Sequence, residues 1–117
     1  MEIIPCVALK YDEDEKAYLN TPEHLFTGKC LSYFGNGQKM MENNYQQGVL
    51  HGESYLWYLN GKVWLKSQYK RGNRIGLFVT YFENGSKETE TLYGMNEKIL
   101  SEKQWNESGE IIREVNY

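Results

Sequence analysis

A unit of 24 residues recurs along this chain and limits the folds that it can adopt. Asn-Gly pairs stand at 36–37, 60–61 and 84–85, each after two aromatic residues, and a Ser-Gly pair stands at 108–109. Asn-Gly between short aromatic-rich segments is a strong local signal for a β-hairpin, because a type I′ turn needs positive φ at both central residues. We therefore predict a type I′ hairpin in each unit.

A second turn signal separates the units. The segments 46–48 and 70–72 end in a glycine, and 94–96 is a weaker version of them. A hairpin of three or four residues with a bulge needs such a left-handed residue. Two turns in each unit leave strands of roughly seven to nine residues, and no segment has helical periodicity. The sequence predicts an all-β fold, a twisted antiparallel β-meander or solenoid of β-hairpin repeats.

The repeat divides a single domain, 1–117, into five segments. We predict a degenerate N-terminal capping hairpin at 1–25, hairpin repeats at 26–51, 52–75 and 76–99, and a C-terminal capping repeat at 100–117. Repeat arrays generally need atypical ends, and the last unit departs from the pattern with Leu100 where the earlier units have glycine.

The first segment carries three local signals of its own. Pro5 interrupts its apolar residues and predicts a strand at a sheet edge, because proline cannot donate to a ladder. The acidic run Asp12–Glu15 predicts a solvated turn. In the loop Thr21–His24 a single helical turn could form, because Pro22 suits the first helical position.

Composition excludes several functional classes. The net charge of −3 lacks the basic field on which nucleic-acid binding depends. Mean hydropathy is −0.70, and no apolar run approaches the ~20 residues that span a bilayer. The N-terminus has no basic segment followed by an apolar one, so we predict no secretory signal and a cytoplasmic location. The only two cysteines, Cys6 and Cys30, form no CxxC pair and are expected to be free thiols.

Catalytic and metal-binding patterns are missing from the sequence. His24 and His51 have no ligand spacing with a cysteine, a histidine or a carboxylate pair. Cys30, His51 and Glu53 could meet across strands, yet a Cys–His pair also needs a third positioning group and an oxyanion site. The glycines fall at hairpin turns and not in a phosphate-binding loop. We predict that the chain is not an enzyme and has no cofactor or metal.

Comparison of the repeats with one another predicts two different faces. One face has constant chemistry and is assigned to the buried side; its columns are Tyr33/Trp57/Tyr81/Trp105, Tyr45/Tyr69/Tyr93/Tyr117 and Glu42/Lys66/Glu90/Glu114. The other face varies between repeats. There we predict partner contacts at Met40, Tyr58, Trp64 and Phe82, because aromatic and Met anchors are common in binding hot spots. In the alternative interpretation these rings pack a curved or second layer of the fold.

The C-terminal strand predicts a second contact. Residues 110–117 contain neither Pro nor Gly, and an unprotected edge strand can pair with another chain. We predict an edge contact at Ile112, Glu114 and Val115, with a protein partner or in a homodimer.

The units resemble the MORN-variant repeats of YwqK-type bacterial antitoxin and immunity-like proteins over about residues 26–117. The resemblance rests on Gly52, Trp57, Tyr58, Asn60, Gly61, Tyr69 and Gly72, and on Gly76, Tyr81, Phe82, Asn84, Gly85 and Tyr93. It implies a non-catalytic protein–protein binding module that occludes a partner toxin. The alternative is a scaffolding or membrane-peripheral module, for which Lys62, Lys66, Lys70, Arg71 and Arg74 would supply the basic cluster.

Overall fold

The fold is seen in a computed structural model that describes residues 2–117. Its strands are β1 Glu2–Pro5, β2 Lys10–Tyr11, β3 Ala17–Tyr18, β4 Gly28–Tyr33, β5 Lys39–Gln46, β6 Val49–Trp57, β7 Val63–Lys70, β8 Asn73–Arg74, β9 Gly76–Tyr81, β10 Lys87–Tyr93, β11 Ile99–Trp105 and β12 Ile111–Asn116. Short 3-10 segments lie at Cys6–Ala8 and Met95–Glu97.

One sheet of ten strands dominates the structure. Its order is β1-β4-β5-β6-β7-β9-β10-β11-β12, with the short β8 paired to β7, while β2 and β3 form a separate ribbon. From β4 to β12 every pairing is antiparallel. The molecule measures 49 × 38 × 22 Å, so the sheet is a single layer over most of its length. The predicted all-β meander of hairpins is confirmed.

The Asn-Gly turns differ from the prediction in their geometry. In the first, the Gly37 N–H donates to the Phe34 carbonyl and the Phe34 N–H donates to the Gln38 carbonyl. Only Gly37 has positive φ, +88°, whereas Asn36 does not. This is a type I turn followed by a glycine bulge. The Asn36 Oδ1 accepts the Gln38 N–H at 3.0 Å, which holds the asparagine in the turn without a left-handed backbone, so the predicted type I′ turn is wrong here.

The type I′ geometry occurs at the other set of turns. Gln47 and Gly48 have φ of +48° and +81° between the paired residues Gln46 and Val49. Arg71 and Gly72 repeat this with +51° and +85°. The predicted longer, bulged hairpin at these positions is also wrong. The local right-handed strand twist favours the two-residue form, and a non-glycine residue tolerates the left-handed region at its first position.

The bulge that precedes the fourth hairpin is smaller than the one that precedes the second, and the turn before it is longer, so the repeat length stays the same. In the second unit, residues 51–53 stand opposite the single residue Asn44, and Gly52 has φ +96° there. In the fourth unit, only Leu100 is unopposed, because leucine does not favour that backbone conformation. The connection after Tyr93 is longer, with Asn96 and Glu97 both at φ +58°.

The N-terminal segment contains a short hairpin, β2–β3, that lies outside the meander. Strand β1 pairs in parallel with β4, with Ile4 opposite Cys30, and β2–β3 form their own ribbon. Strand β1 occupies a sheet edge, as Pro5 predicts. The acidic run is a turn between β2 and β3, in which the Asp12 carboxylate accepts two main-chain N–H groups. Residues Thr21–His24 form a hydrogen-bonded turn rather than a helical one. Met1 lies outside the described residues.

The two cysteines form a disulfide bond, so the expectation of free thiols is wrong. Cys6 and Cys30 are 24 residues apart, and their Cα atoms are 4.7 Å apart. Parallel pairing of β1 with β4 brings them together, and this pairing could not be read from a pattern of antiparallel hairpins. The disulfide links the N-terminal segment to the first strand of the first repeat.

The buried core is small and lies beneath the N-terminal segment. It consists of Leu9, Ala17, Phe26, Cys30 and Tyr45, with Ile4, Cys6, Leu19 and Leu50 packed against it. Because this segment covers one face of the sheet at Cys30 and Tyr45, we call that face the cap face. The remaining hairpins are stabilised by contacts between neighbouring strands, as in other repeat proteins.

Candidate interaction surfaces

The face opposite the cap is crossed by one continuous row of side chains. From strand to strand the directly opposed residues are Leu31, Glu42, Tyr55, Lys66, Val79, Glu90, Lys103 and Glu114. We call this row the ladder and this side the ladder face. Directly opposed residues in a sheet lie close enough to interact. The ladder therefore carries acidic and basic residues in alternation, separated by Tyr55 and Val79.

All but one of the charges in the ladder have a partner. The ion pairs are Lys29–Glu42 at 3.5 Å, Lys39–Glu42 at 3.8 Å, Lys87–Glu90 at 2.6 Å and Lys103–Glu114 at 3.4 Å. Within residues 2–117, no carboxylate oxygen lies within 4.0 Å of the Lys66 ammonium. Lys66 is exposed, and it is the charged residue in the ladder that is left to interact with another molecule.

A second row on the ladder face holds the predicted column of rings. It consists of Tyr33, Lys39, Trp57, Val63, Tyr81, Lys87, Trp105 and Ile111, paired within each hairpin. Lys39 Nζ lies 5.6 Å from the Trp57 ring centroid, and Lys87 Nζ lies 6.0 Å from that of Trp105. Lysine therefore stands between the rings in the first and third hairpins, and an aliphatic residue does so in the second and fourth. The prediction of a shared face for these rings is confirmed.

The second predicted column lies on the other side of the sheet. Tyr45 pairs with Gly28, two residues before Cys30, and is therefore on the cap face. Tyr69 and Tyr93 contact Phe78 there. The register shifts by one residue beside each Asn-Gly turn. A one-residue shift exchanges the two faces. It was therefore wrong to assign the column that begins at Tyr33 and the column that begins at Tyr45 to one buried side.

The cap face carries an aromatic cluster beyond the N-terminal segment. Phe78 contacts Tyr69 and Tyr93 edge to face, with centroid distances of 5.4 and 4.9 Å. Arg74 stacks 4.7 Å from the Tyr93 ring and binds Glu97 at 2.7 Å. Burial raises the pKa of the Tyr69 hydroxyl. These contacts stabilise the second and third hairpins where no segment covers them.

Two of the predicted partner residues, the half-buried Tyr58 and the exposed Trp64, form one aromatic pair. The ring centroids of Tyr58 and Trp64 are 5.9 Å apart, and Trp64 is 45% exposed. The Tyr58 hydroxyl donates to the Tyr81 main-chain carbonyl at 2.6 Å. The pKa of Tyr58 is raised, mainly by burial and to a smaller extent by the nearby charge of Glu88. Tyr58 directly follows Trp57, which lies on the ladder face, and successive side chains of an extended chain point to opposite sides, so the aromatic pair lies on the cap-face side.

The other two predicted residues are separate from this pair. Phe82 is half-buried and begins the third Asn-Gly turn, at the position of Tyr58 in the second. Met40 is exposed and lines a cavity of about 280 Å³ beside Pro5 and Tyr33, next to the N-terminal segment. The structure therefore brings Tyr58 and Trp64 together and does not gather all four residues.

Strand β12 is an open edge of the sheet, as predicted. Ile111 and Ile112 are 53% and 57% exposed. Glu114 pairs with Lys103, and Val115 stands opposite Glu102. The hydroxyl of Tyr117, just beyond the strand, donates to Glu102.

Sequence reasoning missed a groove on the ladder face. It has a volume of about 490 Å³ and is lined by residues that include Lys66, Gln68, Leu77, Val79, Tyr81, Glu90 and Leu92. The available signal was Lys66 itself, a lysine in a column that otherwise holds glutamate at 42, 90 and 114.

The chemical groups considered for catalysis are engaged in structural contacts. Cys30 is in the disulfide, and His51 Nδ1 accepts the Arg71 N–H at 3.1 Å. In the preceding unit, Thr27 Oγ1 accepts the equivalent hydrogen bond from the Gln47 N–H. Among residues 2–117, no group of three His, Cys, Asp or Glu side chains could hold a metal ion. No helix in this part of the chain has the length and apolarity needed to cross a bilayer.

Comparison with known families finds two matching segments. Residues 26–47 and 50–71 each match the MORN repeat variant. These segments cover the hairpin β4–β5 and most of β6–β7, and the turns of β9–β10 and β11–β12 have the same geometry at the Asn-Gly or Ser-Gly position. No curated protein and no solved structure matches the chain. The repeats indicate a binding or scaffolding module.

Proposed function

We propose that the chain is a non-catalytic module that binds a partner protein through the Tyr58–Trp64 pair. The supporting observation is a large exposed indole held beside a tyrosine whose hydroxyl is already fixed. Tryptophan and tyrosine are enriched among residues that dominate binding energy. A side chain fixed before association loses less conformational entropy on binding.

The partner we propose is a toxin that the chain occludes, as the resemblance to antitoxin and immunity-like proteins implies. The experiment is to isolate a stoichiometric partner with the purified chain and to measure affinity by calorimetry. Trp64→Ala should weaken binding by about 2 kcal/mol or more. Tyr33→Ala removes a comparably exposed ring from the ladder face and should leave affinity unchanged. Equal effects of both substitutions would contradict this assignment, and a partner whose activity persists in the complex would contradict occlusion.

A second proposal concerns the edge strand. The open backbone of β12 and its two exposed isoleucines favour pairing with another chain, including a second copy. Glu114→Pro should abolish such pairing, because the N–H groups of β12 alternate in direction and that of Glu114 points away from β11, so proline removes a donor of the open edge. Light scattering over a range of concentrations tests it, and a monomer at every concentration would exclude the homodimer.

The alternative function is a scaffolding or membrane-peripheral module. Lys62, Lys70 and Arg71 are exposed and cluster in the second hairpin, and a basic cluster attracts anionic lipid. Flotation with phosphatidylserine vesicles distinguishes this function, since the protein-binding module should remain unbound. A cytoplasmic location remains a prediction, and the Cys6–Cys30 bond weighs against it because disulfides persist mainly in oxidising compartments.

A further inference from the structure

The groove around Lys66 differs in chemistry from the aromatic pair and lies on the opposite face. Its floor is apolar, with Val79 buried and Leu77 50% exposed. Leu92 stands directly opposite Leu77 on the neighbouring strand, so these two side chains form one apolar patch. An exposed aliphatic patch inside a concave surface is a common feature of binding sites.

Among the four charged groups that border this patch, Glu90 and Lys87 form an ion pair, Glu53 has a hydrogen bond but no ion pair, and Lys66 has neither within residues 2–117. The Glu53 carboxylate accepts the Tyr55 hydroxyl at 2.7 Å, and Glu90 binds Lys87 at 2.6 Å. In the first and third hairpins, Lys39 and Lys87 pair with a glutamate three residues further on. The second hairpin has Val63 and Lys66 at the equivalent positions. The repeat thus leaves one cation in the middle of the sheet, next to an apolar patch.

We propose that this groove binds an extended acidic segment of a protein, with a carboxylate on Lys66 and an aliphatic side chain on Leu77 and Leu92. An extended segment places alternate side chains on one side, so one residue can reach Lys66 while another reaches the apolar patch. A carboxylate is the complementary group because the neighbouring ladder charges already have partners. This site goes beyond the proposed function, since it does not involve Tyr58 or Trp64.

Two labelled peptides test the site, acetyl-Val-Thr-Glu-Thr-Val-amide, in which Glu and both Val side chains lie on one side of an extended chain, and the same peptide with Gln in place of Glu. Binding is followed by fluorescence polarisation and by chemical-shift changes of the Leu77, Val79 and Leu92 methyl groups. The Glu peptide should bind about three- to tenfold more tightly than the Gln peptide. This preference should decrease as salt is raised, because screening weakens an exposed ion pair.

Three variants identify the source of the preference. Lys66→Gln should remove it, and Lys66→Glu should reverse it toward a peptide with Lys at the central position. Lys103→Gln is the matched control, since Lys103 is in the same ladder, pairs with Glu114 and does not line the groove. It should leave the preference unchanged. Lys66 is exposed, so its variants should fold, which circular dichroism confirms.

The proposal is overturned if wild type binds both peptides equally, or if Lys66→Gln retains the preference for Glu. It is also overturned if the methyl shifts occur around Trp64 instead of Leu77. Acetate alone serves as a further probe. If acetate at the same concentration reproduces the peptide-induced shifts, the groove is a simple anion site and not a site for an extended segment.

Discussion

The hydroxyl of Tyr58 donates a 2.6 Å hydrogen bond to the main-chain carbonyl of Tyr81 and so joins the second hairpin to the third. Three further bonds join successive hairpins at their tips, one of them from Lys62 Nζ to the Asn84 carbonyl. Asn36 Nδ2 donates to the Leu59 carbonyl, and Asn60 Nδ2 donates to the Glu83 carbonyl. In a sheet that is one layer thick over most of its length, such bonds supplement the strand pairing and fix the position of each turn relative to the next.

Removing the Tyr58 hydroxyl should destabilise the fold without removing its ring. Tyr58→Phe should lower the free energy of unfolding by about 1 kcal/mol, the usual contribution of one hydrogen bond. Urea denaturation measures the change. Tyr33→Phe is the control, because the Tyr33 hydroxyl belongs to an exposed ring and makes no hydrogen bond within residues 2–117. Equal losses in both variants would show that the bond to Tyr81 does not contribute.

Breaking the disulfide should destabilise the protein more strongly. Closing a loop with a sequence separation of 24 residues reduces the entropy of the unfolded chain, and the expected loss on reduction is about 3 kcal/mol. Denaturation with and without dithiothreitol measures it. In the double variant Cys6→Ser, Cys30→Ser the reductant should have no effect. If the denaturation midpoint of the wild type is the same with and without dithiothreitol, the disulfide does not stabilise the protein.

Glycine at Arg71 should stabilise the protein. Arg71 adopts φ +51° in a type I′ turn, and a left-handed backbone costs a non-glycine residue about 1 kcal/mol. Arg71→Gly should therefore raise the free energy of unfolding by up to that amount. The adjacent Lys70 ends strand β7, and Lys70→Gly should instead destabilise by roughly 0.5–1 kcal/mol. A loss of stability in Arg71→Gly would contradict the assigned turn.

Stability should decrease at alkaline pH through Tyr55. The pKa of Tyr55 is raised from 10.0 to about 12, mainly by the hydrogen bond to Glu53 and to a smaller extent by burial. The folded state therefore holds this proton more tightly than the unfolded state. The resulting stabilisation is complete below pH 10 and is lost as the pH rises toward 12. Denaturation midpoints between these pH values should fall less steeply in Tyr55→Phe.

Glu53→Gln provides an independent check on the cause. It removes the carboxylate that accepts the Tyr55 hydroxyl, so the pKa of Tyr55 should fall toward its ordinary value. Difference absorption titration of this variant against wild type measures the change. An unchanged titration would show that Glu53 is not the cause.

The repeat in the sequence was sufficient to predict the class of fold. The hairpins, the shared face of Trp57 and Trp105, and the two edges at Pro5 and β12 follow from turn residues and strand alternation. These are local signals, and each unit repeats them. The exchange of the two turn types was not predictable from Asn-Gly alone, because the same pair also suits a type I turn followed by a glycine bulge.

The features that sequence reasoning missed depend on contacts between distant residues. The parallel pairing of β1 with β4 has no local signal, so the disulfide was hidden. The position of Tyr45 and Tyr69 on the cap face depends on a register shift at each turn. The groove follows from Lys66 having no acidic neighbour, which requires the cross-strand register. Of the predicted contact residues, Tyr58 and Trp64 belong to the same hairpin, and the bulge beside its turn brings their rings together.

Lysine and aliphatic residues alternate between the rings of the ladder face, and this alternation determines how such a chain could gain or lose hairpins. Lys39 faces Trp57, and Lys87 faces Trp105. Loss of the second hairpin alone would place Tyr81 between both lysines and leave Glu42 and Glu90 on either side of Val79. Loss of the second and third hairpins together would bring Lys39 beside Trp105 and Glu42 beside Lys103, so that every favourable neighbour is kept. Gain or loss of genetic material should therefore be tolerated best in blocks of two hairpins.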